Sequence, residues 1–253
     1  MTIFEAATGN TILLTGADVT ITTTNDNLTF DGGNIVLSTA GTTTIDTELG
    51  GSGGGNVLID GTIDGTSGQS EALVINGGSG SVTVNGAIGA TNPLTTITIG
   101  SAGAGTIEVT NIGGGSAGAT LATAVGNAST ATLTLDGTVY NTGGTQTYTA
   151  ATGGGNIDIT GAATFTTSAD NIAFNTSGVD LAANVAITTG TGGAGNVSFG
   201  GAIDTDSAGD RTLTIDSGSG SVTFSGAIGL TNALGGLNVN ATAGDGAGVI
   251  TFS

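Results

Sequence analysis

Short runs in which apolar and polar residues alternate fill the chain, and turn residues separate them. One stretch shows the pattern in full: Val57-Leu58-Ile59, the corner Asp60-Gly61, Thr62-Ile63, a polar loop, then Ala72-Leu73-Val74-Ile75 closed by Asn76-Gly77-Gly78. Period-two alternation rich in β-branched residues predicts strands. Asp-Gly, Asn-Gly and Gly-Gly pairs predict tight turns with positive φ. No segment carries the spacing of an amphipathic helix, so the expectation is all-β. Gly113 to Ala131 is Ala/Gly-rich without a clear strand pattern, and a loop or an irregular rung is expected there.

The runs recur at two scales. Val57, Gly61 and Ile63 return 25 residues later as Val82, Gly86 and Ile88; Leu73 and Ile75 return after 24 as Ile97 and Ile99. Val197, Gly201 and Ile203 are followed in the same way by Val222, Gly226 and Ile228. A few short strands cannot bury an apolar face alone, whereas stacking one such unit on the next forms parallel sheets around a continuous core. The predicted fold is therefore a right-handed parallel β-solenoid (β-helix) of about ten rungs of roughly 25 residues. Val57 should stack on Val82, Val197 on Val222 and Phe199 on Phe224.

The longer period is 140 to 144 residues. Residues 53 to 101 align without gaps to 193 to 241, with nearly half the positions identical. Upstream, Ala6-Ala7-Thr8-Gly9 matches Ala150-Ala151-Thr152-Gly153, and Asp26-Asn27-Leu28 matches Asp170-Asn171-Ile172; downstream, Gly103-Ala104-Gly105 matches Gly246-Ala247-Gly248. The chain reads as a single continuous solenoid, 1–253, of about 1.75 copies, a first unit at 1–144 and a partial second at 145–253. A fragment of a longer repetitive protein is expected.

Composition changes this picture in detail. Fifty glycines suit the many corners, and the single proline, Pro93, falls in a predicted loop, where its missing N–H does no harm. Nineteen acidic residues face one basic residue, Arg211, for a net charge of -18, and there is no His and no Cys. Phosphate recognition needs clustered Lys and Arg, so nucleic acid is not an expected partner. An anionic membrane surface would repel the chain, and no apolar run is long enough to insert directly into a bilayer. The opening Met1-Thr2-Ile3-Phe4-Glu5 lacks the features of a secretory signal.

The rung Gly80-Ser81-Val82-Thr83-Val84-Asn85-Gly86-Ala87-Ile88-Gly89 and its copy Gly220-Ser221-Val222-Thr223-Phe224-Ser225-Gly226-Ala227-Ile228-Gly229, each followed by a Leu-led strand, resemble the β-strand repeats of filamentous-haemagglutinin-like adhesins and giant bacterial surface proteins. The resemblance implies extracellular or cell-surface placement and an attachment or fibre-forming role. It brings no catalytic residues.

On the residues themselves, no catalytic site, cofactor or metal centre is expected. Asp31, Asp60 and Asp136 each precede Gly and read as turn formers. Asp204, Asp206 and Asp210 alternate in a way that suits Ca²⁺, but the counterpart loop, Asp64 to Ser70, keeps only the first carboxylate. Arg211, which follows Asp210, is a candidate clamp on the Asp204–Asp210 loop by an ion pair, with a solvated surface charge as the favoured reading. The Thr-x-Thr strands, such as Thr96-Ile97-Thr98, resemble ice-binding faces, but Ala72 and Val74 break the array one rung away. The expected function is a rigid spacer or self-assembling filament, associating end to end or with neighbouring repeats. A carbohydrate- or Ca²⁺-dependent module that binds surface glycans is the alternative, and a polysaccharide-degrading enzyme comes last.

Overall fold

The computed structural model describes residues 1–49, 53–68, 70–100, 103, 105–190, 195–239 and 248–253; Gln69, Ser101, Ala104, Gly193, Ala194, Asn240, Ala241, Gly246 and Ala247, which fall within the alignments above, lie outside them. The described residues form strands joined by turns and loops, and every pairing between named strands is parallel.

Three faces enclose the core. The first runs from Thr2–Glu5 through Leu28–Asp31 and Val57–Ile59 to Ala202–Thr205. The second runs from Thr11–Gly16 through Asn34–Thr39 to Gly236–Val239. The strands Val82–Ile88 and Thr106–Ile112 turn the corner between these two faces and serve both, which joins them into one 17-stranded sheet. The third face is a separate ten-stranded sheet from Val19–Thr22 to Ile250–Phe252. Ten strands make nine steps, each of about 4.8 Å by the spacing of hydrogen-bonded strands. Each step advances the chain by about 25 residues, as in Val82 beside Val57 and Val222 beside Val197.

The core follows from the alternation. On the third face one inward column reads Ile21, Ile45, Ile75, Ile99, Val125, Tyr148, Phe174, Phe199, Phe224 and Phe252, each in register with the next. Its aromatic half is a stack, with ring centroids 5.4 Å apart for Tyr148 and Phe174, 4.9 Å for Phe174 and Phe199, 5.5 Å for Phe199 and Phe224 and 5.1 Å for Phe224 and Phe252. On the first face the order is reversed: Phe4 stacks on Phe30 at 5.0 Å, and Ile59, Val84, Val109, Leu135, Ile159 and Leu181 continue the column.

Corners are tight enough to select their residues. A Cβ on Gly86 would lie 2.2 Å from the Gly61 carbonyl oxygen of the rung beside it, and one on Gly61 would lie 2.1 Å from that of Gly33. Side chains then tie rung to rung. Asn27 Oδ1 accepts from the Asn56 N–H at 2.9 Å, and Asn56 Oδ1 accepts from the Ser81 N–H at 2.9 Å.

Of the two expectations for Gly113 to Ala131, the irregular rung is the one seen: Ala119–Val125 is a full strand of the third face. Its inward residues are Ala119, Thr123 and Val125, while Leu121 is 59% exposed. The strand is templated by Leu94–Gly100 on one side and Gln146–Thr149 on the other, with an irregularity in register after Leu94.

Near the join of the two long units the core becomes polar as well as aromatic. Tyr140 and Tyr148 meet edge to face at 6.1 Å, and Phe165 stacks on Tyr140 at 4.8 Å. The Tyr140 hydroxyl donates to the Val109 carbonyl at 2.8 Å, and the Tyr148 hydroxyl donates to Gln146 Oε1 at 3.0 Å. Gln146 Nε2 donates to the carbonyls of Tyr140 at 2.9 Å and Thr166 at 2.7 Å. Each buried polar group in this cluster finds a partner, as burial requires. Desolvation pushes both phenols above the ordinary tyrosine range.

Candidate functional site

Asp60, Asp64, Asp204 and Asp206, among the carboxylates singled out in the sequence, are used structurally. Asp204 Oδ1 accepts from the N–H groups of Thr231 at 2.8 Å and Asn232 at 3.2 Å, fastening the loop of the next rung. Asp64 does the same for Thr91 at 2.8 Å and Asn92 at 3.3 Å. Asn111 Oδ1 supplies an equivalent fastening to Thr138 and Val139, both at 2.9 Å. Asp60 Oδ1 accepts from Asn85 Nδ2 at 2.7 Å, again across one rung, and the glycine after Asp31 adopts φ 73°.

Asp206 pairs with Arg211, whose Nε and Nη2 donate to its two carboxylate oxygens at 3.0 and 3.1 Å. That hydrogen bonding and the guanidinium charge hold the Asp206 carboxyl below its usual range and raise the Arg211 pKa. Arg211 thus clamps its loop, and its partner lies five residues before it. The earlier copy uses opposite chemistry in the same places. Glu71 stands where Arg211 does, and its Oε1 accepts from the Thr66 N–H at 3.1 Å and hydroxyl at 2.5 Å. Glu71 is buried, and its Oε2 has no hydrogen-bond partner among the described residues.

Asp204 fastens a loop and Asp206 is bonded to Arg211, so these two of the alternating carboxylates already have partners within the protein. Among the described residues no group of three or more His, Cys, Asp or Glu side chains is placed to hold a metal ion.

A feature invisible in the linear pattern emerges from the stacking. Asp158, Asp180 and Asp204 are successive outward residues of one column on the first face. Asn156 Nδ2 donates to Asp180 at 2.8 Å and also to Asp158. Partial burial raises the Asp158 pKa; the Asn156 hydrogen bond opposes the shift and the Asp180 charge adds to it. The three carboxylates line an open cleft of about 470 Å³ with Thr160, Asp206 and Asn232. The column could have been found by writing the sequence in rungs of about 25, had the register been known.

The third face is different in character. Its central outward column reads Thr20, Thr44, Val74, Thr98, Ala124, Thr147, Ala173, Ser198, Thr223 and Thr251, without a charge. Thr96 and Thr98 lie beside Ala72 and Val74, so the Thr array is interrupted where the sequence indicated.

No protein-family model, no curated protein and no solved structure matches this chain.

Proposed function

We propose that the chain is a structural spacer segment of an extracellular or cell-surface fibre of the filamentous-haemagglutinin-like kind, working by its shape rather than by catalysis. The observation that carries this reading is the in-register stack: inward columns follow one another over nine steps. Outward polar side chains bond from rung to rung, as Asn27 does to Asn56 and Asp204 to Thr231. A parallel stack of this kind resists extension because its strands are joined to both neighbours by hydrogen bonds. Growth by addition of further rungs, from the same chain or from another copy, uses the strand edges exposed at the two ends of the stack.

Single-molecule pulling tests the spacer reading. Held at its two ends, the chain should keep its native length and then release in rung-sized increments of about 25 residues, the spacing seen in the register. Smooth extension at low force would overturn it. The acidic cleft on the first face favours a second reading, a surface that binds glycans with or without Ca²⁺. Binding on a glycan array that is lost in D180N/D204N would support that reading, and its response to Ca²⁺ removal would distinguish the two forms.

A further inference from the structure

The two long units are similar in sequence, yet they do not lie on the same sides of the solenoid. Val57–Ile59 is on the first face, whereas its counterpart 140 residues later, Val197–Phe199, is on the third. Ala72–Asn76 is on the third face, and its counterpart Thr212–Asp216 is on the second. Ile63 lies on the second face, and Ile203 on the first. The displacement has the same sense each time. Following the strands in order, the step from one unit to its copy is seventeen strand positions, or five turns and two thirds.

Local structure is copied through this change of face. Asn171 and Asn196 repeat the ladder of Asn27 and Asn56, accepting from the Asn196 and Ser221 N–H groups at 2.8 Å each, but at a different corner. Asp204 repeats the bonds of Asp64. The inward column Phe4, Phe30, Ile59, Val84, Val109 of the first face reappears as Tyr148, Phe174, Phe199, Phe224, Phe252 on the third. This is why the aromatic stretch lies at the start of the first face and at the end of the third.

We infer that successive units of this repeat are rotated by one third of a turn about the solenoid axis, so that a run of them shows the same surface markings on three sides in rotation. Three units then make seventeen whole turns, after which the pattern returns to its starting face. Each unit advances about 27 Å at the spacing of parallel strands. Ala119–Val125 is decisive for the phase, because it supplies a strand position where the residues show no clear strand pattern. On the spacer reading, the consequence is that a contact carried by the unit meets partners from three directions instead of along one flank. The acidic loop fastening at Asp64 and at Asp204 is one such marking, already present on two faces.

The absence of native cysteine makes the phase directly testable by disulfide trapping. Outward neighbours on adjacent parallel strands lie about 4.8 Å apart, within the range a disulfide spans. Ala124 and Thr147 are such neighbours, as are Thr83 and Glu108. If the units followed one another in whole turns, Thr147, the counterpart of Ile3, would instead continue the column of Thr83 and Glu108. Mild oxidation should therefore remove the free thiols of A124C/T147C and of T83C/E108C, and leave E108C/T147C reduced. Cross-linking of E108C/T147C with loss of the A124C/T147C bond would overturn the rotation while leaving the stack and the spacer reading intact. Failure of T83C/E108C to cross-link would overturn the stack itself. In the unsubstituted chain, a methyl–methyl NOE between Ala124 and Thr147 is expected; an NOE from the Thr147 methyl to the Glu108 side chain in its place would refute the rotation without any substitution.

Discussion

Replacing Phe199 with alanine tests the stacked core at its most continuous point. Phe199 is buried, lying between Phe174 at 4.9 Å and Phe224 at 5.5 Å with nearly parallel rings. Truncating a buried phenylalanine costs about 3–5 kcal/mol, and loss of a ring pair about 0.5–1.5 kcal/mol beyond the area it buries. F199A should therefore cost about 5 kcal/mol, a large share of the stability of a domain. Phe252 ends the same column with one ring neighbour and is 64% exposed, so F252A should cost about 1 kcal/mol. In a stack whose rungs touch only their neighbours, the damage should stay local. Urea unfolding followed by far-ultraviolet circular dichroism and by the fluorescence of Tyr140 and Tyr148 should show an early loss of strand signal, with the tyrosine environment surviving to higher urea. Equal losses for F199A and F252A, or a cost below about 1.5 kcal/mol for F199A, would refute the reasoning.

Other perturbations probe the corners and the charges. Gly86→Ala puts a Cβ 2.2 Å from the Gly61 carbonyl oxygen and should lower stability by about 1–3 kcal/mol, whereas Gly115→Ala, with open space around it, should stay within about 0.5 kcal/mol of the parent in the same melts. Native Tyr140 and Tyr148 should show no tyrosinate absorbance at 295 nm at a pH of about 10–11, where a free phenol ionises; because folding raises both pKa values, their contribution to stability is intact below about pH 10 and falls as pH rises further. Asp158 also has a raised folded-state pKa, so its contribution is present while it is protonated and is lost as pH rises through the carboxylate range. D158N should consequently lose less stability than the parent between about pH 3 and pH 6, and an unchanged difference in melting temperature would exclude that origin.

Much of the architecture is legible in the residues, because a solenoid writes its rung length directly into the chain. The recurrence of Val57, Gly61 and Ile63 as Val82, Gly86 and Ile88 corresponds to in-register neighbours, and Phe199 stacks on Phe224. The phase of the long repeat was hidden by Ala119–Val125. Alanine and threonine pack inward there as well as outward, and the one large side chain, Leu121, faces solvent, so alternation gives no signal. Neighbouring strands impose the extended conformation instead. The roles of the acidic residues were only partly legible. Asp64 with Thr91-Asn92 and Asp204 with Thr231-Asn232 recur at the same spacing, a hint of the shared fastening. The pairing of Arg211 with Asp206, and the column of Asp158, Asp180 and Asp204, depend on loop geometry and register that composition does not encode.

The most direct measurement is a methyl NOE spectrum of the uniformly folded chain with assigned valine, leucine and isoleucine methyls. The parallel stack predicts contacts between residues one rung apart: Val57 with Val82, Leu73 with Ile97, and Val197 with Val222. A spectrum dominated by contacts between strands adjacent in sequence, as hairpins produce, with these pairs silent, would contradict the solenoid and everything built on it.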